Sequence, residues 1–202
     1  MLAAGGSRRL GIPKQLVRYR GRPLLLHAVA AASVAMPRAQ LIVVVGAEML
    51  RLRLVLQRAR GDARVVANGR WHEGMATSLR AGLAAVPRSA RAALVLLVDQ
   101  PHVGAEAIGR LLDAWRLRPS LPAAANYGDR AGVPAVLPRR YWRASKALRG
   151  DHGARALLRG AEALTLVDIP EAALDIDTPA DVLELSAGVR RPCRLRRGHR
   201  PR

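Results

Sequence analysis

Near the start of the chain, Leu2-Ala3-Ala4-Gly5-Gly6-Ser7-Arg8-Arg9-Leu10-Gly11-Ile12-Pro13-Lys14 brings together small side chains, a hydroxyl, two arginines and a lysine. Small residues let a backbone approach a phosphate chain closely and aim its N–H groups at the oxygens. Arg9 and Lys14 add fixed positive charge where a triphosphate would lie. The spacing is neither that of a Walker A loop, Gly-x4-Gly-Lys-Ser/Thr, nor that of the dinucleotide fingerprint Gly-x-Gly-x-x-Gly. Two acidic positions could complement this loop. Asp99 follows the longest apolar run, Ala92 to Val98, so its carboxylate emerges at the end of a buried strand, where an open α/β sheet binds its ligand. Asp177 lies in Asp175-Ile176-Asp177-Thr178-Pro179-Ala180-Asp181. Magnesium is usually held by one or two carboxylates plus substrate phosphates, a pattern that Asp99 and Asp177 fit. Asp-Thr-Pro is equally a helix start, with Asp or Thr as the cap and Pro in the first turn.

Other reactive residues point away from rival chemistries. His27 lies on an apolar helix and His72 beside Trp71 in a loop; neither has a second histidine at metal spacing, and both read as structural. No Gly-x-Ser-x-Gly nucleophile elbow occurs. The single cysteine, Cys193, excludes an internal disulfide and a four-cysteine zinc site. A lone thiol fits a reducing compartment, most simply the cytoplasm.

The elements that must position these residues alternate. Apolar runs bounded by glycine, proline or charge read as strands at Leu41 to Val45, Arg64 to Ala67 and Ala92 to Val98, with weaker ones at Val133 to Leu137 and Leu164 to Ile169. Helical stretches run Pro23 to Met36, Glu48 to Arg58, Met75 to Val86, Ala105 to Arg116, Ala154 to Leu158 and Pro179 to Leu185. Continuous apolar strands alternating with helices indicate a three-layer α/β/α fold on a mostly parallel, Rossmann-like sheet. At 202 residues, with half of them hydrophobic, the chain makes one domain, expected over 1–187, followed by a basic, disordered tail over 188–202 that holds seven arginines and no acid. The net charge of +19 rests on 32 arginines and two lysines, a composition that GC-biased coding also produces. With three Trp, three Tyr and no nucleic-acid motif, a nucleic-acid-binding protein is the weaker alternative. No run of 18 apolar residues and no signal peptide occurs, so no membrane role is expected.

The opening segment resembles the signature of the MobA-like nucleotidyltransferases, L-A-A/G-G-x-S-x-R-M/L-G-x-P/D-K, and Ala3-Ala4 with Pro13 before Lys14 is most similar to the molybdenum cofactor cytidylyltransferase branch. Three further segments agree. Asn68 to Leu83 resembles N-x-x-W-x-x-G-M-x-x-S-L-x-x-G-L, Asp99-Gln100-Pro101 resembles D-Q/M-P, and Asp175 to Asp181 resembles D-I/V-D-T-P-E-D. The likeness implies a nucleotide-diphospho-sugar transferase type of fold. It implies that Leu2, Ala3, Ala4, Gly5, Gly6 and Ser7 wrap a nucleoside triphosphate whose phosphates Arg9 and Lys14 contact. It also implies that Asn68 and Ser78 lie near base and ribose, and that Asp99 and Asp177 hold Mg2+. The implied reaction moves CMP from CTP to the terminal phosphate of molybdenum-carrying molybdopterin, releasing pyrophosphate; the recipient would be a molybdoenzyme or its chaperone. A GTP-dependent or other-acceptor enzyme is the alternative within the class.

Leu148 to Arg155 matches L-x-G-D-x-G-A-R, where Arg155 could meet an anionic second substrate and Asp151 could equally cap the following helix. Val133 stands where the family often has histidine between Gly132 and Pro134, a departure that bears on the acceptor. In the family several apolar residues precede the phosphate loop, whereas here only Met1 precedes Leu2. A two-residue first strand is therefore expected, with a gap at the centre of the sheet and either an upstream start or a loosely held loop.

Overall fold

The computed structural model describes residues 1–59, 63–127 and 130–187, so the expected tail at 188–202, with Cys193, lies outside the described residues. In chain order the elements are β1 (Leu2–Ala3), β2 (Arg18–Tyr19), β3 (Arg22–Pro23), α1 (Leu24–Ala35), β4 (Leu41–Val45), α2 (Met49–Arg58), β5 (Ala63–Ala67), α3 (Met75–Ala85), β6 (Ala92–Val95), α4 (Ala105–Leu117), β7 (Ala123–Asn126), β8 (Ala131–Pro138), α5 (Ala154–Arg159), β9 (Thr165–Asp168) and α6 (Pro179–Ser186). Short 3-10 turns join them at Lys14–Leu16, Trp71–Glu73, Arg139–Ala147 and Pro170–Ala173.

Two ladders form the central layer. In one, β4 lies between β1 and β5, all parallel; in the other the order is β6-β8-β7-β9, with β8 antiparallel to both neighbours and β7 parallel to β9. Leu2 joins the ladders: it forms a parallel bridge with Leu97, and its N–H donates to the carbonyl of Leu96 at 2.9 Å. The run Leu41–Val45 is apolar throughout because both faces of β4 are covered. Val43 and Val45 enter a core with Leu25 of α1, Leu52 of α2 and Leu111 of α4, while Ile42 and Val44 pack on the opposite face. On that second side Leu79 and Leu83 of α3 join Leu157 and Leu158 of α5. The result is the three-layer α/β/α architecture.

The strand at Ala123–Asn126 and the hairpin of β2 and β3 are elements that the apolar pattern does not announce. Alanine favours helices, yet Ala123, Ala124 and Ala125 are fully buried in the middle of the second ladder, where a small side chain fits under the packed helices. None of the described helices is long and apolar enough to cross a membrane.

β1 has only its two residues, and a cavity of ≈ 430 Å³ opens beneath it, bounded by Met1, Leu41, Ile42, Leu83, Ala92 and Leu94 among others. The Met1 amine is buried there and donates to the carbonyl of Ile42 at 2.9 Å. Burial lowers its pKa to about 5, because a charge removed from water has little to replace its hydration.

Candidate functional site

At the carboxyl end of β1 the chain turns from strand into the segment that carries the small residues. Its carbonyls point into the protein: those of Ala3 and Gly5 accept from Gln15 Nε2 at 2.8 and 2.9 Å, and that of Ala4 accepts from the N–H of Ala47 at 3.2 Å. Among the described residues none accepts a hydrogen bond from the N–H groups of Gly5, Gly6 or Ser7. A run of inward carbonyls and uncommitted N–H groups is the backbone form of an anion site. Ser7 adopts φ 51°, a left-handed conformation uncommon outside glycine. Its hydroxyl accepts from the N–H of Lys14 at 2.9 Å and closes the turn across seven residues.

Close backbone approach sets the far wall. A methyl group at Gly46 would lie 2.6 Å from the Ala4 carbonyl oxygen and from the Trp71 Cβ, and one at Gly6 would meet the Trp71 ring at 2.9 Å. The indole thus packs directly on the loop. Leu2 to Gly6, Arg8, Lys14, Gln15, Trp71, His72, Gly74, Met75, Ser78, Asp99 and Asp151 surround a cavity of ≈ 290 Å³, together with Leu97 and Val98.

The charged group lies at its edge. Lys14 Nζ bridges two carboxylates, donating to Asp99 Oδ2 at 2.5 Å and to Asp177 Oδ1 at 3.0 Å. Burial works against the ammonium charge, but the Asp99 carboxylate, followed by Asp177, outweighs it and raises the lysine pKa above its usual value. Arg9 is two-thirds exposed and donates to Asp177 Oδ2 at 2.7 Å; of the two arginines it is Arg8 that borders the cavity. The segment Asp175 to Asp177 is tied to Asp99 through the Ile176 N–H, which donates to the Asp99 carbonyl at 2.9 Å. Asp175 is exposed as a residue, and desolvation on the inner side of its carboxyl, followed by the charges of Asp99 and Asp177, pushes its pKa up to about 7. Of the two capping candidates in Asp-Thr-Pro, Thr178 caps α6 in a reciprocal box with Asp181, which leaves the Asp177 carboxylate to the ion pairs.

These residues fit a divalent cation. Asp99 Oδ1 is buried without a hydrogen-bond partner, an oxygen whose lone pairs have no protein donor. Among the described residues no group of three or more His, Cys, Asp or Glu side chains gathers to hold an ion by itself, so phosphate oxygens and water would complete the shell.

Other sequence candidates fall into place around this centre. Ser78 is buried in the cavity wall on α3, and Asn68 is buried behind it, donating to Ser78 Oγ at 3.0 Å and to Thr77 Oγ1 at 2.8 Å. Asn68 thereby positions Ser78 and does not line the cavity. Asp151 does not cap α5, whose N-cap is Gly153 without a side-chain bond; its Oδ1 accepts from the N–H of Met75 at 3.4 Å, at the start of α3. Gln100 donates to the Val133 carbonyl at 3.0 Å, and Arg155 donates to the Tyr127 hydroxyl at 3.1 Å, which covers Gly132. Gln15 and Trp71 are cavity residues to which motif reading gives no role, and His72, read from the sequence as structural, also lines the cavity. For Trp71 the signal was its place in the Asn68 to Leu83 motif.

A family model described as the MobA-like NTP transferase domain matches residues 1–167. Over 198 residues the chain is 34% identical to nicotine blue oxidoreductase from Paenarthrobacter nicotinovorans, covering 92% of this chain and 94% of that one. Rv0371c from Mycobacterium tuberculosis H37Rv has a solved structure that superposes with a TM-score of 0.76 at 31% identity, covering 93% of this chain and 96% of that chain. A second Rv0371c structure, a complex with manganese, gives a TM-score of 0.73 at 28% identity, with 92% and 95% covered.

Proposed function

Because the chain belongs to the MobA-like NTP transferase domain family, an enzyme family of nucleotidyltransferases, we propose that it transfers CMP from CTP to the terminal phosphate of a molybdopterin-type acceptor in the cytoplasm. The acceptor phosphate oxygen forms a bond to the α-phosphorus of CTP, the bond from that phosphorus to the β-phosphate bridging oxygen breaks, and pyrophosphate leaves. The acceptor is already an anion at neutral pH, so no general base is required. The protein's contributions are alignment and charge neutralisation.

The observation that carries this reading is the ≈ 290 Å³ cavity in which the N–H groups of Gly5 and Gly6 share a wall with Lys14 and Asp99. Those N–H groups and Lys14 bind the phosphates, with Arg8 and Arg9 beside them. Ser78, held by Asn68, faces the ribose end. Asp99 and Asp177 would hold a divalent ion, Mg2+, which when bound supplies positive charge against the phosphate oxygens. That Rv0371c has been crystallised as a complex with manganese supports a divalent ion in this reading. Cytidine is favoured by Ala3-Ala4 and Pro13.

The identity with nicotine blue oxidoreductase favours a second reading, in which the same cradle takes the pyrophosphate of a reduced nicotinamide dinucleotide. One experiment separates the readings: a thermal-shift panel of CTP, GTP, ATP, UTP, NADH and NADPH, each with Mg2+, followed by pyrophosphate release with a molybdopterin acceptor. A ligand at 100 times its Kd adds about 2.7 kcal/mol. The expected result is stabilisation and turnover by CTP. Preference for GTP overturns the base assignment, and stabilisation by a dinucleotide alone overturns the transferase reading.

A further inference from the structure

We infer that Gln15 is the positioning residue of the phosphate cradle, an inference that rests on the nucleotidyltransferase reading. Gln15 is 1% exposed and follows Lys14 directly in the turn Lys14–Leu16. Both hydrogens of its amide are used on the loop, at 2.8 Å to the Ala3 carbonyl and 2.9 Å to the Gly5 carbonyl. Both partners are acceptors, so the amide cannot be turned round without setting its oxygen against two carbonyl oxygens. Its Oε1 is buried without a partner. A buried acceptor without a partner is costly, and an apolar side chain of similar volume would avoid that cost. The amide is kept in spite of that cost, and what it supplies is the pair of donors.

The two bonds act on alternate peptide groups of one turn. Across a planar trans peptide the C=O and the following N–H point in opposite directions. Drawing in the Ala3 and Gly5 carbonyls therefore directs the N–H groups of Ala4 and Gly6 away from Gln15, while the bond from Ala47 to the Ala4 carbonyl directs the Gly5 N–H away from Ala47. The N–H of Lys14, one residue earlier, holds the Ser7 hydroxyl at the far end of the loop. Lys14 and Gln15 therefore bind both ends of the cradle from a single turn. The charge that meets the phosphates and the clamp that aims the amides are fixed relative to each other.

Aimed amides matter to a triphosphate and little to a nucleoside monophosphate, which reaches fewer of them. The test uses the full chain and its Gln15→Met variant, which keeps chain length and removes both donors. The probes are the triphosphate and monophosphate of whichever base stabilises the wild-type protein most, titrated calorimetrically with Mg2+. The expected result is at least a tenfold loss of triphosphate affinity with monophosphate affinity changed less than twofold. Equal losses for both ligands, or no loss for either, overturn the inference and reduce Gln15 to a packing residue. Where Gln15→Met does not fold, Gln15→Asn, which keeps the donors one methylene short, takes its place with the same expected split. A wild-type protein that binds no triphosphate instead overturns the nucleotidyltransferase reading, and the inference with it.

Discussion

Two cavities lie at opposite ends of β1, and the larger one has little chemistry in it. The space at the amino end, ≈ 430 Å³, is bounded chiefly by aliphatic side chains and strand backbone, with the Met1 amine as its buried charge-bearing group. The space at the carboxyl end is ≈ 290 Å³, yet Lys14, Asp99, Arg8 and Ser78 converge there on a loop with uncommitted N–H groups. Volume alone does not mark a ligand site; convergent, mutually restrained polar groups do. The same strand serves both ends differently. It delivers the loop at the top and borders the aliphatic cavity at the bottom.

The sharpest way to break this contrast is at the top. Asp99→Asn is expected to lower turnover about 10²- to 10³-fold, as loss of one aligned electrostatic group commonly does, while the urea midpoint changes little. Asp177→Asn, more exposed and shared with Arg9, is expected to lose about tenfold. Steady-state pyrophosphate release beside urea melts checks both; unchanged turnover for Asp99→Asn would place the chemistry elsewhere.

At the bottom the expectation reverses. Leu83 is buried against the lower cavity, and Leu83→Ala is expected to cost about 2–3 kcal/mol of stability, toward the low end for such a truncation because the site is already hollow. Nucleotide affinity should stay within twofold. A large affinity loss would show that the two ends are coupled through α3.

The smallest net effect comes from the titrating groups, one at each end, because their shifts oppose each other. Met1 holds its amine near 5 in the folded protein against an ordinary 8.0, so the unfolded chain binds the extra proton between these values and stability rises with pH from about 5 to 8. Asp175 is shifted the other way, from 3.8 to about 7; the folded protein binds the extra proton and stability falls as pH rises through that window. The buried Met1 amine contributes at most about 1.4 kcal/mol per pH unit, and Asp175, whose residue is exposed to solvent, contributes less because water screens its charge. In the wild-type protein the two oppose each other between about pH 5 and 7. In Asp175→Asn the rise from Met1 should stand alone, as urea melts at pH 5, 6, 7 and 8 in metal-free buffer would show. A flat profile in that variant would mean that the amine is solvated.

Much of this was legible in the residues. The alternation of strands and helices could be read because β4 and its neighbours are buried on both faces and spell out their environment as unbroken apolar runs. β7 could not, since its three alanines look helical until the helices that cover them are known. The motifs pointed to Lys14, Asp99 and Asp177. The bridge that Lys14 makes between the two carboxylates is a tertiary fact, joining positions 85 and 163 residues away along the chain. Gln15 escaped notice because a glutamine beside a lysine carries no signal of its own; only the two carbonyls above it give it meaning. Of the two readings open for Leu148 to Arg155, the Asp151 cap on α5 does not form, because the neighbour of Asp151 in sequence is α5 and its neighbour in space is α3.

The loop around Gly150 is pressed against the start of α3. A methyl group at Gly74 would collide with the Gly150 backbone, and one at Gly153 would collide with the Met75 sulfur. Two loops from distant parts of the chain are meshed like gear teeth, one bordering the nucleotide cavity and the other leading to Arg155. Enlarging a residue at the mesh must therefore move its counterpart as well, so these two loops can change size only together.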